Sequence, residues 1–317
     1  MHHEAKFDIP FPPRINSGTT QALERNVAWA RRMGLVANDE EVERYVASQT
    51  QEAAAYFYPD IAGEDLDLGY DMCGFFFVFD DAFDVPPGPS LDSAVATCQD
   101  LIALLAQPQE AASLDAPPVV VAFSDVWRRE AIGMSPTWVR RAAHNWADYF
   151  YGQLAEVSNR LAGITLSPDD QMKARRRTIA VVTGMDMAER TGHFEMPSLA
   201  WHNSLTQAML DKVSDHVSMV NDIYSLAKEE ADGDHNLVHC IMRSRNCSRA
   251  DAIGEVVETA NGRIKEYIEL AQGIPQMCRT LNLSPAERSA VDRHEDAMRI
   301  HFRANHDWGF NAGRYTG

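Results

Sequence analysis

Cysteine is scarce in this 317-residue chain, and the five present (Cys73, Cys98, Cys240, Cys247 and Cys278) form no CxxC pair and no close Cys/His cluster. That spacing argues against a structural zinc site. The odd number argues against a disulfide framework, so a reducing, cytoplasmic setting is expected. Nowhere do 18 uncharged apolar residues run together, which argues against a helical membrane span. The first thirteen residues hold no apolar run of signal-peptide length. Positive charge is short as well: 29 Lys and Arg stand against 46 Asp and Glu, a formal net charge of −17. Such an excess repels phosphate backbones and anionic surfaces, so neither nucleic acid nor membrane is expected as a partner. An anionic substrate remains compatible if divalent cations stand between it and clustered carboxylates.

Strand signals are nearly missing. Alternating apolar and polar runs bounded by Asn-Gly or Asp-Gly turns do not occur, and Asn261-Gly262 falls inside a helical pattern. The best strand candidate, Pro118-Val119-Val120-Val121-Ala122-Phe123, lacks a partner hairpin. No internal repeat and no long polar linker is visible, so one all-α domain spanning 1–317 is expected.

What the chain does have is helical periodicity. Residues 1–18, with Pro10, Pro12 and Pro13, read as an extended arm. Thr19 or Thr20 is placed to cap a helix over 19–33, with Leu23, Val27, Trp29 and Ala30 inward. Asn38 or Asp39 caps the next, over 39–47. Further helices are predicted over 66–83, 92–105, 118–132, 135–162, 167–190, 205–230, 248–270 and 284–305. Pro86-Pro87-Gly88-Pro89 must stop the one over 66–83.

Two of these helices carry chemistry. The first ends in Asp80-Asp81-Ala82-Phe83-Asp84 after Gly74-Phe75-Phe76-Phe77-Val78-Phe79. Positions i and i+4 share a helix face, so Asp80 and Asp84 point the same way. Carboxylates at a helix C-terminus oppose the dipole, and hard oxygen donors suit Mg²⁺, which keeps waters and recruits substrate phosphates. The second is Asn221-Asp222-Ile223-Tyr224-Ser225-Leu226-Ala227-Lys228-Glu229. Asn221, Ser225 and Glu229 are four apart, a drift of only about 40° per step. One face thus presents an amide oxygen, a hydroxyl and a carboxylate able to chelate a hard cation, with Lys228 beside them for a phosphate.

With these motifs the chain resembles the class I terpene synthases, specifically the bacterial terpene cyclases. Asp80, Asp81 and Asp84 match the family's DDxxD motif, and Asn221, Asp222, Ser225 and Glu229 match its NDxxSxxxE triad. Arg175, with Thr178 three residues on, resembles the diphosphate-sensing arginine and its linker. Arg314-Tyr315 resembles the RY pair that bonds diphosphate on closure. The stretch Gly233-Asp234-His235-Asn236-Leu237-Val238 resembles the segment after the triad. Ile179 stands where the family often has the glycine whose carbonyl assists ionisation, which moves the expected helix break toward Gly184.

The resemblance covers residue 20 to Tyr315 and implies a single-domain helical bundle around a deep active-site cavity. It implies three Mg²⁺ ions, with Mn²⁺ as an alternative, held by Asp80, Asp84, Asn221, Ser225 and Glu229. Asp80, Arg175, Asn221, Ser225 and Glu229 would then be catalytic, and Arg175, Lys228, Arg314 and Tyr315 would bind the diphosphate. A cation formed beneath them must be kept from water. Aromatic faces attract it, and the candidates are Phe57, Phe76, Phe77 and Trp308. No nucleophile dyad is evident, and His193, His202, His216 and His235 are scattered, so released diphosphate is the expected proton acceptor. The family implies a prenyl diphosphate substrate: farnesyl diphosphate giving a sesquiterpene first, geranyl diphosphate second, geranylgeranyl diphosphate third. Homodimerisation is compatible with it. A chain-elongating prenyltransferase would need a second DDxxD-type motif in place of Asn/Ser/Glu. A helical lipid-binding protein would leave the four polar motifs without a task.

Overall fold

The computed structural model describes residues 5–84, 90–113, 115–232 and 236–315, with the side chains of Asp84 and Asp232 outside that description. The expected stop at Pro86–Pro89, the Asp84 carboxylate and residues 233–235 therefore lie outside the described residues. Every regular element among the described residues is helical, in agreement with the all-α expectation. They group into two units, Arg14–Ile164 with Asn311–Gly317, and Met1–Pro13 with Thr165–Phe310.

The first unit holds α1 (Thr19–Arg32), α2 (Asp39–Ala47), α3 (Ala53–Phe57), α4 (Glu64–Asp84), α5 (Leu91–Leu105), α6 (Pro118–Ala131) and α7 (Pro136–Leu161). Asn38 caps α2 as expected, accepting from Glu41 N, whereas Gly18 and not a threonine stands at the start of α1. The strand candidate at 118–123 is helix. Pro118 sits in a first turn that needs no N–H, and Val120, Phe123 and Trp127 recur at helical spacing on the buried side. Helix α4 is the hub, packed against α1, α3, α6 and α7. Its Phe75, Phe79 and Phe83 are buried. Phe75 stacks on Phe79 at 5.6 Å, and Phe123 and Phe150 close the cluster edge-on or tilted. Truncating one such ring to alanine costs about 3–5 kcal/mol, so the aromatic run fixes the position of the acidic end that follows it.

The second unit holds α8 (Pro168–Thr178), α9 (Val181–Gly192), α10 (Ser198–Trp201), α11 (Ser204–Asp232), α12 (Leu237–Arg245), α13 (Arg249–Ala271), α14 (Ile274–Thr280) and α15 (Pro285–Asn311). Here α11 is the hub, in contact with α8, α9, α12 and α13. The helix expected over 167–190 is two helices. Their break falls at Ala180, which adopts φ +59°, and Gly184 lies inside α9 instead. The described part of the N-terminal arm, residues 5–18, has no regular structure. Asn261 of α13 receives it much as a neighbouring strand would: Oδ1 accepts from Asp8 N at 2.8 Å and Nδ2 donates to Lys6 O at 3.2 Å. Phe7 lies against His216 and Tyr224, and Phe11 against Tyr267 and Phe302.

Candidate active site

In the first unit, Asp80 and Asp81 stand half-exposed in the last turn of α4, a turn with no basic residue of its own. The compensating charge arrives from elsewhere in the chain. Arg314, in the 3₁₀ turn Gly313–Tyr315, makes a two-pronged contact with Asp81. Its Nη1 donates to Oδ2 at 2.9 Å and its Nη2 to Oδ1 at 2.8 Å, with Asp80 Oδ2 at 3.4 Å. The guanidinium also lies over the Phe77 ring, 5.0 Å from its centroid. Burial works against the Arg314 charge, but the hydrogen bonds it donates to Asp81 and its electrostatic interactions with Tyr315, Asp81 and Asp80 outweigh it and raise the pKa. Arg314 N donates to Ser48 O at 3.1 Å and Gly313 N to Gln49 Oε1 at 3.0 Å, so the C-terminal turn is docked on the α2–α3 connection. At the other side of the helix end, Arg160 of α7 donates to the Phe83 carbonyl. Two cations thus offset the dipole and the acidic cluster together.

In the second unit, Asn221, Ser225 and Glu229 follow one another along one face of the unbroken α11. Arg175, near the end of α8, reaches the top of that face. Its Nη2 donates to Asn221 Oδ1 at 2.7 Å and lies 2.9 Å from Asp222 Oδ1. Arg176 is thereby distinguished from it, because it turns to Asp211 and Asp215. Ser225 Oγ donates to Asn221 O at 2.8 Å, which leaves the hydroxyl oxygen as an acceptor. Asp222 is buried, and burial raises its pKa against the pull of Arg175 and Leu237 N. Burial likewise raises that of Glu229, and the negative Asp222 adds to it, against Arg175, Ser225 and Asn236.

Among the described residues no three His, Cys, Asp or Glu side chains gather as a metal-holding group. The triad does not depend on such a group, because its one carboxylate is joined by an amide and a hydroxyl oxygen. The donor set fits a hard divalent cation, and a cation beside Glu229 would offset the burial and the Asp222 charge that raise its pKa. Lys228 is half-buried beside Glu229 on α11.

The aromatic candidates divide. Phe76 stacks on Trp146 at 4.9 Å and meets the edge of Tyr149 at 5.2 Å, Phe77 carries Arg314, and Phe57 ends α3 beside Tyr58. Trp308 is buried on α15, next to Gly309, whose missing side chain lets α15 approach the Tyr224 ring. Sequence reasoning assigned no task to Asp222, Asn236 or Arg160. All three act through tertiary contacts, and only the acidic helix end without a nearby cation gave a signal for Arg160.

The family model described as "Terpene synthase family 2, C-terminal metal binding" matches residues 71–266, which include both acidic motifs and Arg175, and this chain belongs to that family. Its chemistry is accordingly that of a divalent-metal enzyme. The chain is 37% identical to R-linalool synthase of Streptomyces clavuligerus over 99% of this chain and 94% of that one. It is 35% identical to (-)-beta-caryophyllene synthase ((2E,6E)-farnesyl diphosphate cyclizing) of Saccharothrix espanaensis over 99% of this chain and 89% of the relative. Among solved structures it resembles the linalool/nerolidol synthase of Streptomyces clavuligerus in complex with 2-fluorogeranyl diphosphate. That match has a TM-score of 0.87 and 35% identity, covering 93% of this chain and all of the other.

Proposed function

We propose that this chain is a Mg²⁺-dependent class I terpene cyclase that ionises farnesyl diphosphate and closes the farnesyl cation to a sesquiterpene hydrocarbon or alcohol. The observation that carries the reading is the α11 face on which Asn221, Ser225 and Glu229 align, with Arg175 bonded to Asn221 and set against Asp222. Similarity to the farnesyl diphosphate-cyclising caryophyllene synthase supports the substrate. Geranyl diphosphate is the second reading, favoured by similarity to a synthase solved with 2-fluorogeranyl diphosphate. The whole chain, 1–317, acts as one catalytic domain in this reading.

Each motif would hold metal in this reading: Asp80 and Asp84 on α4, and Asn221, Ser225 and Glu229 on α11. When bound, three Mg²⁺ ions supply Lewis acidity toward the departing diphosphate. Arg175, Lys228, Arg314 and Tyr315 hold diphosphate oxygens as negative charge develops on them, the contribution that usually dominates such catalysis. Heterolysis of the allylic C–O bond sends the electron pair to the diphosphate and leaves a cation, for which Phe57, Phe76, Phe77 and Trp308 are the candidate aromatic partners. Those aromatic faces exclude water and steady the charge by up to about 2 kcal/mol each. The released diphosphate takes the final proton when the product is a hydrocarbon. Replacing Asn221 or Glu229 by alanine is expected to lower turnover at least a hundredfold with the helical circular dichroism unchanged. Undiminished product from both variants would contradict the assignment of the triad.

A further inference from the structure

The Glu229 carboxylate has a dedicated partner. Asn236, fully buried at the start of α12, donates from Nδ2 to Glu229 Oε2 at 2.7 Å and to the Asp222 carbonyl at 2.8 Å. Its Oδ1 accepts from Val238 N at 2.9 Å, which caps the helix. The next residue extends the link: Leu237 N donates to Asp222 Oδ2 at 2.9 Å, and the other Asp222 oxygen lies 2.9 Å from Arg175 Nη2. A capping asparagine needs only its side-chain oxygen. Both amide hydrogens are left over from capping, and both are directed at the helix that carries the triad. Leaving such buried donors without partners is unfavourable, so the carboxamide holds one orientation, and Glu229 with it.

We infer that Asn236 is a positioning residue for the metal site, holding the Glu229 carboxylate on the ligating face of α11 and tying the start of α12 to Asp222. The inference rests on the reading that Glu229 ligates the metal. Groups that orient a ligand from behind affect metal affinity by about 10–100-fold, and Asn236 contacts Glu229 without belonging to the triad. Its neighbours Leu237 and Val238 contribute backbone only to these bonds, which places the effect on the Asn236 side chain.

Serine and alanine at this position separate positioning from capping. Serine keeps a capping oxygen but is too short to reach Glu229, whereas alanine loses both roles. Mn²⁺ binding in the presence of inorganic diphosphate, read from the free-ion electron paramagnetic resonance signal, gives a measure independent of turnover. Asn236→Ser and Asn236→Ala are both expected to weaken Mn²⁺ binding at least tenfold and to raise the metal KM by a similar factor. The kcat at saturating metal should fall far less, and Asn236→Ser should keep the wild-type circular dichroism and unfolding midpoint. Wild-type Mn²⁺ affinity in Asn236→Ser, with only Asn236→Ala less stable, would reduce Asn236 to a cap and overturn the inference. Glu229→Ala is measured alongside. If it too binds Mn²⁺ like the wild type, the ligand assignment itself is lost and the inference with it. If it loses binding while Asn236→Ser does not, the inference alone falls.

Discussion

Gly313 occupies a position where no side chain fits: a Cβ there would run into the Ala47 carbonyl. Its N–H bonds Gln49 and the following N–H bonds Ser48, so the two residues after it, Arg314 and Tyr315, are carried by a docked backbone. Gly313→Ala is expected to displace that turn and release the contact of Arg314 with Asp80 and Asp81. Product formation should drop about tenfold or more while the helical circular dichroism stays unchanged; wild-type kinetics would mean the turn does not bear on catalysis. At this scale the sequence was informative where a motif is local. Asn221, Ser225 and Glu229 needed only helix geometry to be placed on one face. The choice of Arg175 among three consecutive arginines came from the family resemblance, and the structure shows why it differs from Arg176: it meets Asn221, whereas Arg176 turns to Asp211 and Asp215. Asn236 was visible within a matching stretch but had no readable role, because its partners Glu229 and Asp222 lie seven and fourteen residues away in sequence.

Helices α2, α7, α8 and α13 begin where Asn38, Ser135, Ser167 and Ser248 accept a backbone N–H, so their starts were readable from capping residues. The break between α8 and α9 was not, because neither glycine nor proline marks it. Ala180 takes the left-handed conformation there, which costs an L-residue about 1–2 kcal/mol. The break ends α8 shortly after Arg175. Ala180→Gly is therefore expected to leave stability unchanged or raise it by up to about 1 kcal/mol. Ala180→Val, whose branched Cβ fits that region worst, should lower the unfolding midpoint by several degrees. Thermal unfolding of the two variants checks this, and equal loss in both would mean the conformation at 180 carries no strain. The short helices α3, α10 and α14 were missed because four to seven residues give too little periodicity to register.

At the scale of the whole molecule, enclosed histidines predict how the fold responds to pH. His216 and His301 are buried, and each turns Nδ1 to a backbone carbonyl, of Ala260 at 3.1 Å and Ala297 at 2.8 Å. Burial pushes both pKa values down to about 4, from an ordinary value of 6.5. A depressed folded-state pKa means the neutral form belongs to the native state. Stability from these two residues is thus complete above pH 6.5 and is lost as pH falls from there toward 4. A tenfold difference in proton affinity between the folded and unfolded chain is worth ~1.4 kcal/mol, so each histidine contributes on the order of 3 kcal/mol over that window. The unfolding midpoint should fall steeply between pH 6.5 and 4, and less steeply in a His216→Asn/His301→Asn double variant. An identical pH slope in that variant would place the acid sensitivity elsewhere.

Substrate length and the metal requirement meet in one assay: purified protein incubated with geranyl, farnesyl or geranylgeranyl diphosphate, with Mg²⁺ or with EDTA, and the extract resolved by gas chromatography–mass spectrometry. A cyclic C15 product from farnesyl diphosphate that disappears with EDTA is the expected result, and a C10 product from geranyl diphosphate alone would move the enzyme to the second reading. Longer prenyl diphosphates, or no turnover of any of the three by folded protein, would contradict terpene cyclisation as its function.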